Sequence, residues 1–143
     1  MMNSVTVTAE LGLSLMVPEH GAVPLVASVD YCADDPYAIK MAFHVGTDEP
    51  VEWIFARELL AQGLEGPAGE GDVKVWPEAV ADEAENSDIL NIALSSPFGE
   101  AHFEASLSAM AEFVKSSYRI IPAGSEGDFI DLDSELDDLL WQA

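Results

Sequence analysis

The chain has 143 residues, 49% of them hydrophobic, and a formal net charge of −22. This length and composition fit one packed globular domain, whereas the charge disfavours nucleic acids and anionic lipid headgroups, whose phosphates an acidic surface repels. A partner with basic or apolar surface is favoured instead.

The first part of the chain alternates between apolar and polar residues, the period of two that is typical of half-buried strands. Apolar residues occupy the odd positions of residues 5–17, 23–31 and 37–45. Turn-forming residues separate these stretches, at 19–22 and at 34–36. Three strands are therefore predicted, and Lys40 and His44 should face outward from the third.

The segment VEWIFARELLAQGLEGPAGEGDV, residues 51–73, changes from strand to helix. Its alternating start predicts a fourth strand with Trp53 and Phe55 in the core, and strong helix formers occupy residues 56–62. Gly63 is the expected C-cap of this helix. We expect Arg57 and Glu58 to lie on the rim of the domain.

The second half repeats this order of strands and then a helix. Residues 71–77, 88–95 and 101–105 are predicted strands, and a helix follows them. Its apolar positions recur at spacings of three and four, at Leu107, Met110, Ala111, Val114 and Tyr118. The expected fold class is α+β, with about seven mostly antiparallel strands in two halves, each followed by a helix packed on the sheet.

Residues 1–143 are predicted to form a single domain, of which residues 124–143 are an acidic C-terminal helical segment. A flexible joint at residues 124–127 leads into leucines at helical spacing, which predict an amphipathic helix. This helix either docks on its own domain or lies against a partner. The candidate partner-contact residues combine apolar and acidic side chains: Asp137, Asp138, Leu140 and Trp141.

No pattern predicts catalysis, a cofactor or a metal ion. The loop GPAGEGD, residues 66–72, lacks the spacing and the lysine of a phosphate-binding loop, and residues 131–137 lack the glycine of a calcium loop. The three histidines show no metal-binding spacing, and Cys32 is interpreted as a small buried residue. Neither a signal peptide nor a membrane-spanning stretch is predicted, so we expect a cytoplasmic protein that is not an enzyme.

Five motifs in order resemble one known family across nearly the whole chain: DPYAIKMAFH (35–44), VEWIFARELLAQGL (51–64), GDVKVWP (71–77), SSPFGEAHFE (95–104) and IIPAGSE (120–126). Together they resemble the SsgA-like proteins, sporulation-specific cell-division proteins of actinomycetes, and most of all the SsgB branch. The resemblance implies a non-catalytic adaptor that positions the septum, recruits the division protein FtsZ with the help of SsgA-type proteins, and concentrates at the septum.

The resemblance also implies a fold similar to the Whirly proteins, which bind single-stranded nucleic acid. A single-stranded nucleic-acid-binding module is therefore the alternative function, although five dispersed basic residues oppose it: Lys40, Arg57, Lys74, Lys115 and Arg119. Because the edges of an open sheet need covering, we expect a homo-oligomer, with a trimer favoured.

Overall fold

The structure is a computed structural model that describes residues 6–44, 49–80, 88–97 and 99–129. These ranges contain seven strands, two α-helices and one short 3-10 helix. In chain order they are β1 Thr6–Val17, β2 Gly21–Cys32, β3 Ala38–His44, β4 Val51–Ala56, α1 Arg57–Gly63, β5 Val73–Glu78, β6 Ile89–Ser96, β7 Gly99–Ser106, α2 Leu107–Ile120 and the 3-10 helix Glu126–Phe129.

All seven strands belong to one sheet with the order β4-β3-β2-β1-β7-β6-β5, and all neighbours are antiparallel. The four strands before α1 and the three strands before α2 form its two halves. They join where Leu13–Leu15 of β1 pair with Phe103–Ala105 of β7. The predicted α+β class, strand number and two-part arrangement are confirmed.

The sheet is strongly curled. Phe43 of β3 and Phe103 of β7 stack with ring centroids 4.5 Å apart, although β2 and β1 lie between their strands. In a flat sheet those three strand spacings would separate the backbones by about 14 Å. Helix α1 also contacts both β4 and β5, the two edge strands. The concave face therefore encloses the core.

The core consists of the odd-numbered side chains of β1 to β4 together with one face of β5 to β7. Paired residues share a face, and the register places Leu13 beside Leu25, and Met41 beside Trp53. Fully burying a leucine or phenylalanine stabilises the fold by about 1.5–3 kcal/mol. The most deeply buried apolar side chains include Val29, Tyr31, Ile39, Phe43, Phe55, Leu90, Ile92 and Met110.

Helix α2 packs on β1, β7 and β6 through an apolar face. Ser106 caps its N-terminus, since its hydroxyl accepts a hydrogen bond from the amide of Ala109 at 3.2 Å. Met110 and Val114 are buried as predicted, and Phe113 joins them. The other predicted apolar positions, such as Tyr118, lie at the margin of this face.

The predicted role of Gly63 is wrong. Gly63 is the last residue of α1, Leu64 is the C-cap, and the φ of Gly63 is not positive. A Cβ on Gly63 would lie 2.4 Å from Cγ1 of Val75. The glycine is required because α1 approaches β5 too closely for any side chain at this position, and not because of its backbone freedom.

Two further parts of the predicted fold stay predictions. The C-terminal amphipathic helix lies outside the described residues, and so do the contact candidates Asp137, Asp138, Leu140 and Trp141. The similarity to Whirly proteins is likewise not tested by this strand order. Among the described residues, no helix is long and apolar enough to cross a membrane.

Candidate partner-binding surface

Among the described residues, neither helix covers one end of the concave face. Helices α1 and α2 begin where β4 and β7 end, so they cover the far half of that face. At the starts of β4 and β7 lies a cavity of about 310 Å³ that we call the apolar groove. It is lined by Leu15, Phe43, Val51, Trp53, Leu94, Ser96, Gly99, Glu100, Ala101 and Phe103.

The floor of the apolar groove is buried and its wall on β4 is exposed. Phe43, Leu94 and Phe103 form the floor and are at most 5% exposed. Val51 forms the wall on β4 and is 52% exposed. An accessible apolar wall over a packed floor suits insertion of an apolar side chain from another protein.

The lining of the apolar groove suits the binding of apolar atoms. Glu100 is its one acidic lining residue, and no histidine, cysteine or lysine lines it. General acid-base or nucleophilic catalysis requires paired groups within hydrogen-bonding distance, and this lining offers none. The groove can therefore desolvate apolar atoms and attract a cation at its rim.

Trp53 corrects one prediction about the core. Phe55 is 1% exposed and belongs to the core as predicted. Trp53 is only half-buried, because its ring lies on the wall of the apolar groove and stacks on Phe55 with centroids 6.4 Å apart. The alternation correctly predicted the face of the sheet but not the point at which that face opens to solvent.

Arg57 corrects a second prediction, because it is buried and not on the rim. Its guanidinium, 1% exposed, lies over the rings of Tyr31 and Tyr118, at 4.7 and 4.2 Å from their centroids. Its Nη2 donates to Oε2 of Glu126 at 2.9 Å. We call these four residues the Arg57 cluster.

The Arg57 cluster also ties the end of α2 to the start of α1. Nη1 donates to the backbone carbonyls of Ser117 and Ile121, at 3.1 and 2.8 Å. The carbonyl of Ile121 lies just past the last turn of α2, where backbone acceptors lack a partner within the helix. The carbonyl of Ser117 also accepts from the amide of Ile121 at 3.1 Å. The buried arginine therefore acts as a C-terminal cap for α2 and closes the end of the domain opposite the apolar groove.

Burial raises the pKa of the Tyr31 and Tyr118 hydroxyls, and the Arg57 charge opposes that shift. The pKa of Glu126 is lowered by the amide of Glu126 itself, by the hydrogen bond from Arg57 and by the amide of Gly124. The ionised carboxylate is thus the form that fits the Arg57 cluster.

This lowered pKa predicts a pH dependence of stability. A carboxyl whose pKa is depressed by folding contributes stability above its unfolded pKa, about 4.3, and loses it as pH falls through the folded pKa. We expect wild type to be more stable than Glu126→Gln at neutral pH and this advantage to vanish in acid, as measured by urea unfolding across pH. Glu112→Gln removes an exposed carboxylate from α2 and is the matched control. A gap that persists unchanged in acid would contradict this role of Glu126.

The remaining candidates for chemistry have structural explanations. His102 is hydrogen bonded through Nε2 to Oδ1 of buried Asn91 at 2.8 Å, and His44 is hydrogen bonded to Ser28. Cys32 is half-buried at the end of β2, whereas the sequence predicted a buried residue. Within the described ranges, no three acidic, histidine or cysteine side chains are grouped to hold a metal ion.

The comparisons with known proteins agree with one another. Residues 25–126 match the family model described as SsgA, a Streptomyces sporulation and cell division protein. The sporulation-specific cell division protein SsgB of Thermobifida fusca is 54% identical over 131 residues, which cover 92% of this chain and 92% of that protein. SsgB of Streptomyces coelicolor is 44% identical over 138 residues, which cover 96% and 98%.

A solved structure supports the fold. The crystal structure of an SsgA-like sporulation-specific cell division protein from Thermobifida fusca has a TM-score of 0.82 and 51% sequence identity. The alignment covers 96% of this chain and 98% of that one.

Proposed function

Because the chain belongs to the SsgA family of sporulation and cell-division proteins, we propose that it is a non-catalytic adaptor of sporulation-specific division that recruits FtsZ and positions the septum. Family membership supports a role in sporulation and division. The resemblance to the SsgB branch supports FtsZ as the partner, with SsgA-type proteins as helpers. Concentration at the septum follows from that role.

The observation that carries the proposal is the apolar groove in an otherwise acidic protein. A formal charge of −22 opposes most contacts with acidic surfaces. The groove is the place where a partner gains free energy by burying apolar atoms, and Val51 is its most accessible wall residue. Burial there returns about 25 cal/mol per Å² of apolar surface.

Val51→Asp tests this binding site. The charged side chain would face the apolar groove and be desolvated by any partner, so we expect at least a tenfold loss of co-pelleting with FtsZ polymers. The fold should persist, since Val51 is 52% exposed. The matched control is Val26→Asp, because Val26 is 45% exposed on the opposite face of the sheet, where β2 pairs with β3. Equal binding by the two variants would exclude the apolar groove.

We also propose that the protein self-associates, most simply as a trimer. The exposed apolar side chains outside β4, such as Val23 and Tyr37, support this, because they are costly to leave in water. Light scattering at micromolar concentration should give three times the 15.3 kDa of one chain. A monomeric mass would overturn the trimer without affecting the adaptor role.

A further inference from the structure

The strand β4 lies at one edge of the sheet and carries an unsatisfied row of backbone groups. The amide of Arg57 donates to the carbonyl of Tyr37 at 2.7 Å, so this pair is a hydrogen-bonded one. In an antiparallel ladder such pairs alternate, which places Val51 and Trp53 in bonds to β3 and turns the N–H and C=O groups of Glu52 and Ile54 outward. In the described part of the chain no hydrogen bond reaches those outward groups.

The opposite edge of the sheet, at β5, pairs with a loop. Ala68 bridges to Val75 of β5, with N–H to carbonyl distances of 2.8 and 2.9 Å in the two directions. The loop before β5 therefore caps that edge. Proteins usually protect an open edge strand with charged side chains, proline or a bulge, and the sequence of β4, VEWIFA, has one charged residue, Glu52, and no proline.

The side chains of β4 also suit the addition of a strand. Ile54 is 66% exposed and Val51 is 52% exposed, on opposite faces of the same strand. Val51 and Trp53 line the apolar groove, so the inward side chains of an added strand would fall beside them. Backbone pairing and side-chain burial would thus occur together, as in other cases of strand addition.

The charge of the surface beside β4 indicates which kind of segment would pair with it. Exposed acids flank the edge: Glu49 precedes β4, Glu52 lies on its convex side, and Glu100 lies at the rim of the apolar groove. An exposed cation also lies nearby, since Nζ of Lys40 is 3.8 Å from Oε1 of Glu52. A segment with lysine or arginine alternating with apolar residues would complement this surface.

Two other occupants fit less well. Residues 130–143 of the chain itself carry five acids and no base, so they would meet like charge at this edge. A second copy would place one β4 antiparallel to another about a twofold axis, which closes a dimer between two chains that each carry a charge of −22.

We propose that β4 receives an extended segment of a partner protein, basic and apolar in alternation, as an eighth strand of the sheet. This inference rests on the proposed adaptor function and specifies the chemistry of the partner's binding segment.

Ile54→Pro tests whether the open edge of β4 accepts a strand. Proline at an outward N–H position leaves the β3–β4 ladder intact but removes a donor from the open edge and places its ring there. It changes no charge, so nonspecific attraction of basic peptides to the acidic protein is preserved. The thermal melting profile should stay cooperative. Val26→Asp, outside this edge, serves as the folded control.

The probe is a displayed library of random dodecapeptides selected on the wild-type protein, with the recovered peptides synthesised and labelled with fluorescein. We expect recovered sequences with basic residues alternating with apolar ones, and at least a tenfold higher Kd for Ile54→Pro at the same salt concentration. Val26→Asp should bind like wild type. Acidic peptides, no recovered peptide, or equal Kd values for wild type and Ile54→Pro would overturn the proposal.

Amide exchange on wild type gives a test that needs no variant. The amides of Glu52 and Ile54 should exchange quickly in the free protein and become protected when the selected peptide binds, whereas the amides of Trp53 and Phe55 should be protected in both states. Protection of the Glu52 and Ile54 amides without peptide would assign the edge to another occupant. Protection that persists on dilution would indicate residues 130–143, and protection that is lost on dilution would indicate a second copy.

The two proposals fail differently in the FtsZ pelleting assay. If Val51→Asp loses FtsZ and Ile54→Pro retains it, the adaptor function stands and strand addition is excluded. If wild type itself does not pellet with FtsZ, the proposed function fails, and the peptide experiment still decides whether β4 accepts a strand.

Discussion

Replacing Arg57 with alanine should lower the free energy of unfolding by about 3–5 kcal/mol, because it breaks the buried contacts of the guanidinium and leaves a cavity. The carbonyl of Ile121 would lose its donor from Arg57, and an orphaned buried acceptor is costly. The carbonyl of Ser117 would keep its hydrogen bond from the amide of Ile121. The rings of Tyr31 and Tyr118 would face each other across an empty space. Urea unfolding followed by circular dichroism measures this loss.

Two variants separate packing from charge in this experiment. Arg57→Lys keeps the charge but cannot donate from a planar fork to the carbonyls and to Glu126 together, so it should recover only part of the stability. Arg119→Ala removes an exposed arginine from the last turn of α2 and should change stability by less than about 1 kcal/mol. If Arg57→Ala resembled Arg119→Ala, the Arg57 cluster would be dispensable.

Phe55→Ala should reduce stability more than Trp53→Ala does, whereas Trp53→Ala should reduce binding more. Phe55 is 1% exposed in the core, so its loss should cost about 3–5 kcal/mol. Trp53 is half-buried on the wall of the apolar groove, so its truncation should cost less than that of Phe55.

Binding should follow the reverse order when it is measured at a temperature where both variants are folded. Trp53→Ala should weaken FtsZ pelleting, whereas Phe55→Ala should retain it. Unfolding midpoints in urea and pelleting of the same preparations measure the two effects. Equal destabilisation by the two substitutions would place Trp53 in the core as the sequence alone predicts, and would remove it from the binding surface.

The alternation of apolar residues is sufficient to predict the seven strands, because burial of one sheet face imposes a period of two. The same alternation also indicates that the side chain at position 57 faces inward. Val51, Trp53 and Phe55 face inward, and the same period continues to position 57. We expected Arg57 on the rim because arginine is rarely buried without partners, and its hydrogen-bond partners are supplied by residues 60 or more positions away.

The apolar groove could not be predicted from the sequence for a related reason. Its floor joins Phe43 to Phe103, and its wall joins Val51 to Leu15. Each of these residues fits an ordinary buried strand position. The curl of the sheet brings them together, and both helices lie at the other end, so the wall at Val51 stays exposed.

Gly63 shows the same limit at a single residue. A glycine after a run of helix formers is usually a C-cap with positive φ. Here the deciding factor is the approach of α1 to Val75, a contact across the fold that local sequence does not encode.

Co-sedimentation of the purified wild-type protein with FtsZ polymers, at low and at physiological salt, tests the central claim most directly. If an acidic scaffold binds FtsZ by burying apolar atoms in the groove, it should pellet with the polymers at both salt concentrations, with only a modest loss as the flanking charges are screened. Absence from the pellet at both concentrations, while the protein remains folded, would contradict the account.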